Sequence, residues 1–303
     1  MNFKKIGLFL AIAYGIAWTV ALAMYLLKIP YGSAYSQLIV GILYMTSPAV
    51  SVLLLQKTEY NEPLSNYGLI WRGIDYKKLL LVPLFFITTI VVIFLSVYLL
   101  GNIWGIPQIG ALEFSEASVQ YRLAQITGQQ GVSMNKPLPL PPMLLLLAGI
   151  VSAMIAGCTI NLIFALGEEL GWRGLLLKET RQLGFLKSNI IIGFWWGLWH
   201  APIIALGHNY KNYPGFGMGM MILLCIAWSF MFSYLRDKAK TVIAPSMLHG
   251  MINGVGGMFP LFIVGGNELW TSPAGVVGIL GGLFVLLGIV LLDREYIAQF
   301  KEL

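Results

Sequence analysis

Eight predominantly apolar runs follow one another along the chain, at approximately 6–27, 36–55, 79–100, 143–178, 187–206, 216–235, 241–263 and 274–292. About 20 such residues cross the hydrocarbon core of a bilayer as an α-helix. Hydrocarbon offers no water to backbone amides, so a spanning run must close its hydrogen bonds within itself, as a helix does. The pattern therefore predicts an all-α fold, a polytopic transmembrane helix bundle of about eight spans. The first run follows Lys4 and Lys5 and contains an Ala21-Leu22-Ala23 triplet that resembles a signal-peptide cleavage site. It is longer than the usual signal core of about 7–15 residues, and we read it as a retained helix.

Composition agrees with the pattern. Of 303 residues 58% are hydrophobic and 11% charged, against about 45–50% and 25% in soluble domains. So few charges do not cover a water-facing surface, which excludes an ordinary soluble protein. The formal charge of +6 comes without the aromatic-basic interleaving of a nucleic-acid binder, and no nucleic-acid partner is expected. Its placement is a topology signal instead. With a cytoplasmic N-terminus, 15 lysines and arginines fall inside and 4, Lys28, Arg122, Lys136 and Lys211, fall outside. That split predicts a multi-pass protein with both termini cytoplasmic and anionic lipid as counter-charge. Cys158 and Cys225 lie in apolar runs without a CxxC pair, so they are read as packing residues.

We divide this single integral membrane domain into residues 1–142, with N-terminal helices, an external loop and no motif; 143–260, which bears the chemistry; and 261–303, a last helix and tail. The external stretch 101–141 holds a polar tract from Glu113 to Gln130, suited to a surface helix or a loop, and ends in a proline-rich approach, Lys136 to Pro142. Gly278 and Gly282 in the last run have the GxxxG spacing of close helix contacts.

Ionisable residues inside spans are costly and usually functional. Here they occur in three consecutive runs. The first block is Gly167-Glu168-Glu169-Leu170-Gly171-Trp172-Arg173-Gly174. Glu169 and Arg173 are four apart and share a helical face, which permits an ion pair. Glu168 is rotated by about 100° from Glu169 and has no such partner in the block. The second block, Trp196-Gly197-Leu198-Trp199-His200, and the third, His249-Gly250-Met251-Ile252-Asn253, have the same four-residue spacing. Each alone also suits a plainer role: a solvated helix end, a lone interhelical histidine, a hydrogen-bonding pair. At 1.5 Å per residue, however, Glu168, His200 and His249 lie roughly 15, 20 and 14 Å in from Lys178, Lys187 and Lys240, so the three blocks coincide at middle depth. Together they supply a carboxylate base, an imidazole to share a water proton, and two donors for an oxyanion. No Ser/His/Asp order, catalytic cysteine or H-E-x-x-H motif is present. A zinc site on Glu168, His200 and His249 is an alternative, because zinc accepts those ligands.

In order and spacing the blocks resemble the CAAX prenyl protease and bacteriocin-processing family, whose pattern is E-E-x-x-x-R, F/W-x-x-x-H and H-x-x-x-N. The resemblance covers roughly residues 143–260. It implies an intramembrane endopeptidase that needs no cofactor or, in the alternative description of the family, zinc. Glu168 and His200 would activate water, and His249 and Asn253 would form the oxyanion site. Glu169, Arg173 and Trp196 would give structural support. The implied partner is a membrane-associated peptide or protein, lipidated in some members; the family also includes proteins of bacteriocin processing or immunity. A transporter with a proton relay is the rival from another class, though no paired broken helices mark corresponding halves of the chain; a non-catalytic binding or immunity protein that keeps the fold is a further alternative.

Overall fold

The computed structural model describes residues 1–126 and 138–303. The expected proline-rich approach lies partly, and Lys136 entirely, outside the described residues. The described chain is a helical bundle. In order it comprises α1 Phe3–Leu26, α2 Ala34–Tyr60 and α3 Lys78–Ile103, then strand β1 Ala111–Leu112 and α4 Glu116–Ile126. There follow α5 Pro142–Cys158, α6 Ile160–Leu183, α7 Phe185–Trp199, α8 Ala201–Ala205, α9 Pro214–Ala239 and α10 Ile243–Val255. Strand β2 Ile263–Val264, α11 Glu268–Leu292 and α12 Arg294–Gln299 complete it. The two-residue strands pair antiparallel, Ala111 with Val264 and Leu112 with Ile263. They tie the polar segment after α3 to the segment after α10.

Helix α3 shows why the fold belongs in lipid. Val82, Phe86, Ile90, Ile93 and Val97 are buried, while Leu84, Ile87, Val91 and Leu95 form an exposed apolar stripe at helical spacing. A water-facing helix would carry polar residues on that outer stripe. Five helices, α1, α2, α3, α9 and α11, are long and apolar enough to cross a membrane, and the α5–α6 pair adds a sixth if taken as one span.

Three expected runs depart from simple spans. The run 143–178 breaks at Thr159, and α5 and α6 meet at 58°. Thr159 has φ −130° and ψ −102°, and its hydroxyl donates to the Ile155 carbonyl at 2.7 Å, a local bond that competes with the helix ladder. The run 187–206 gives only 15 helical residues in α7, followed by the short α8. Pro202 lacks the N–H needed to continue the ladder through His200. The run 241–263 gives 13 residues in α10. Helix α10 is buried along most of its length and does not need a full apolar circumference, whereas α7 keeps Leu186, Ile190 and Phe194 as an exposed apolar stripe.

Small residues set the closest approaches. A Cβ on Gly157 of α5 would lie 2.4 Å from the Met251 backbone nitrogen of α10, and one on Gly250 would lie 3.0 Å from Gly157 Cα. A Cβ on Gly197 of α7 would lie 2.5 Å from Ile222 Cα of α9. Such contacts let backbones approach without side chains between them, and they seat α10, which carries the third block, on α5, and α7, which carries the second, on α9. In α11, Gly282 packs against Trp228, whose indole donates to the Gly278 carbonyl at 2.9 Å. Cys225 is buried, as a packing residue would be, whereas Cys158 is exposed at the α5–α6 break; both are free thiols.

Candidate functional site

Gly167–Leu177 is an unbroken buried stretch of α6. Its α-helical part ends at Glu169, and Leu170–Leu176 follow in π-helical form. Such insertions are rare and frequent at functional sites. Glu169 and Arg173 are both fully buried and form the expected ion pair, Arg173 Nη1 to Glu169 Oε1 at 3.0 Å. Arg173 also lies over the rings of Trp196 and Phe232, its guanidinium carbon 4.2 and 4.7 Å from their centroids. A planar cation over two aromatic faces gains electrostatically from both rings.

The ion pair is part of a larger assembly. His249 Nδ1 donates to the same Glu169 Oε1 at 2.9 Å, across 80 residues of sequence. Glu169 thus joins the guanidinium of its own helix to an imidazole on α10. Asn161 strengthens the α6–α10 contact by donating to the Gly250 carbonyl at 3.0 Å. With Nδ1 so fixed, His249 Nε2 faces Glu168, 3.9 Å from Oε1. Glu168 is 2% exposed. Its other oxygen, Oε2, accepts from the Trp196 indole N–H at 2.8 Å.

Trp196 links the second block to the first. It gives its indole N–H to Glu168, and its carbonyl accepts from His200 Nδ1 at 2.8 Å. A carbonyl only accepts, so His200 carries a proton on Nδ1. In the neutral ring Nε2 is then an open acceptor. The Trp199 ring meets His200 edge-on at 4.8 Å. Trp199 is in turn held by Tyr44, whose hydroxyl donates to its carbonyl at 2.5 Å.

Glu168, Glu169, Arg173, Trp196, His200 and His249 therefore converge. Asn253 is placed differently. It follows His249 by one turn, but it is exposed and makes no hydrogen bond among the described residues. Among the described residues no three His, Cys, Asp or Glu side chains are grouped to hold a metal ion. As placed, Glu168, His200 and His249 are not grouped around a common point for a zinc ion. The residue that motif reading passes over is His208, whose ring lies parallel to that of His200. Only its type, one of three histidines in the chain, marked it.

Comparison with known proteins follows the same segment. Residues 139–255 match the family described as type II CAAX prenyl endopeptidase Rce1-like. The CAAX prenyl protease 2 of Methanococcus maripaludis is 29% identical over 103 residues, which is 30% of this chain and 36% of that protein's length. The family match spans all three blocks, so the segment that carries them is similar to type II CAAX prenyl endopeptidases, while the chain spans only about a third of the length of the prenyl protease it matches.

Proposed function

We propose that the protein is an intramembrane endopeptidase that hydrolyses a peptide bond in a membrane-associated or lipidated peptide, without a cofactor. The observation that carries this reading is the division of labour between adjacent glutamates. Glu169 engages Arg173 and His249, whereas Glu168 holds one oxygen on the Trp196 indole and turns the other toward His249 Nε2, 3.9 Å away. That gap is too long for a direct hydrogen bond and suits groups that share a water or a substrate atom.

In the proposed reaction Glu168 takes a proton from water as the water oxygen attacks the scissile carbonyl carbon. His200, tied to Glu168 through Trp196, orients the same water by its open Nε2. The tetrahedral oxyanion accepts from His249 and from the Asn253 amide. For His249 to donate from Nε2 while Nδ1 is on Glu169, it must be an imidazolium. Two carboxylates, one guanidinium and one imidazolium then sum to zero, which suits a buried cluster. As the C–N bond breaks, Glu168 returns its proton to the leaving amine.

The test is cleavage of lipidated and unlipidated peptides by the purified protein beside Glu168→Gln. This substitution keeps the shape and removes the base. We expect Glu168→Gln to fold and bind peptide but lose at least about 1000-fold in turnover, within the range of general-base and electrostatic contributions. Normal proteolysis by Glu168→Gln would overturn the mechanism. Loss of cleavage with a chelator and its return with zinc would transfer the carboxylate and histidines to a metal.

A further inference from the structure

His208 lies in the connection between α8 and α9. Its backbone N–H donates to the Ile203 carbonyl at 3.0 Å, which turns the connection back toward the end of α7. Its ring is nearly parallel to that of His200, with centroids 6.0 Å apart and planes at 6°. That separation is within the range of about 4.5–7 Å for offset stacked rings.

Both ring nitrogens of His208 are engaged. Nε2 meets the Asn209 side-chain amide nitrogen at 3.0 Å. That nitrogen only donates, so Nε2 accepts, and in the neutral ring the proton is on Nδ1. Nδ1 is hydrogen-bonded to the Tyr31 hydroxyl, in the connection between α1 and α2. Tyr31 also meets the His208 ring edge-on, with centroids 5.6 Å apart. The ring is thus clamped by two connections at one end of the bundle and presses on a residue of the buried cluster.

His200 needs such a neighbour. Its hydrogen bond to the Trp196 carbonyl fixes one nitrogen, and Trp199 bounds the ring edge-on. Without the His208 ring, one face of the imidazole would lose its packing partner and the ring could turn away from Trp196. We propose that His208 is a positioning residue whose ring face holds the His200 imidazole in the rotamer that donates Nδ1–H to Trp196. This positioning claim rests on the geometry, and only its kinetic consequence rests on the peptidase reading.

The chain has three histidines, so histidine-labelled protein in micelles gives three imidazoles for nitrogen NMR. They are assigned with His208→Phe and His249→Gln. His208→Phe keeps a flat ring and should leave the His200 nitrogen shifts in place; His208→Ala should move them or split them into two populations. In peptide cleavage, His208→Ala should lower kcat by about 10- to 100-fold with KM nearly unchanged, the signature of a misplaced catalytic group. His208→Phe should restore most of that loss. Unmoved His200 signals in His208→Ala would overturn the proposal. So would a His208→Phe enzyme as slow as His208→Ala, because the role would then belong to the ring nitrogens. If the parent protein cleaves no peptide, the peptidase reading fails by itself and the nitrogen shifts alone decide the positioning.

Discussion

Adjacent residues of one type have different work in this chain because helical rotation sends them to different neighbours. Glu168 and Glu169 differ by one position, yet Glu169 meets Arg173 and His249 while Glu168 meets the Trp196 indole. Glu169 Oε1 is shared by two donors, and Glu169 Oε2 and Arg173 Nε are buried without a protein partner. The pair is thus less than fully bonded, and its value is in fixing His249 as much as in stability. Arg173→Ala should still destabilise the protein by about 3–5 kcal/mol, since it leaves an uncompensated buried carboxylate. The check is unfolding in detergent, followed by a probe on the buried tryptophans. A stable but inactive Arg173→Ala protein would assign the guanidinium a direct part in substrate handling. The i,i+4 spacing made this pair legible in the sequence. The His249 bond to the same oxygen was not legible, because it joins residues 80 apart through helix packing.

At the scale of elements, glycine contacts decide how closely the site helices pack. The Gly157–Met251 contact leaves no room for a methyl group, whereas Gly219 on α9 has nothing within 4 Å of an added Cβ. Gly157→Ala should therefore push α10 away from α5 and destabilise by about 1–3 kcal/mol, as overpacking does. It should also lower turnover by displacing His249 from both glutamates. Gly219→Ala serves as the control and should be neutral or slightly stabilising, since alanine favours the helix. Melting of the two variants in the same detergent makes the comparison. Equal melting temperatures would show that α5 and α10 separate without penalty. The apolar runs announced these helices, but the Thr159 break, the π-helical Leu170–Leu176 and the short α7 and α10 were not legible. Each depends on local bonding or burial that apolar content alone does not encode.

Across the whole molecule, charge gathers at one end. Lys5 and Lys178 both bond Glu62, at 2.9 and 2.7 Å, and Lys5 also pairs with Glu179. The neighbouring Arg181 bonds Asp237 and the Phe300 carbonyl, and Lys238 pairs with Asp293. Residues from the start of α1, the segment after α2, the end of α6, the end of α9 and the tail thus meet as one belt. Burial would raise the Glu62 pKa, but hydrogen bonds from Lys178, Lys5 and Tyr67 outweigh it and hold the group at about 2, below its ordinary value of 4.5. A depressed carboxylate contributes stability that is present above its unfolded value and is lost as pH falls through the folded one. The Glu62 contribution should be constant above about pH 5 and decline from there toward pH 2. Melting temperature against pH for the parent and Glu62→Gln tests this: the two curves should converge in acid, and a constant offset down to pH 2 would refute the linkage. The belt gathers many of the charges that the lysine and arginine count assigns to the cytoplasm. Reporter fusions at residue 120 and at the C-terminus should then report opposite faces of the membrane; the same face for both would reject that topology.

The sequence by itself determined the solvent, the secondary structure class and the three blocks of ionisable residues. These depend on apolar run length and on residues four apart, and both properties are local. The family match to residues 139–255 lies over those same blocks. Tertiary structure alone decided which groups meet across helices: His249 with Glu169, Trp196 between Glu168 and His200, and His208 flat against His200. It also decided that His249 is buried while Asn253, one turn on, is exposed. Helical periodicity fixes the relative directions of side chains on one helix, but not which neighbour each direction meets. That neighbour is set by close backbone contacts such as Gly157 with Gly250, by the bend at Thr159, and by connections that fold back over the bundle end.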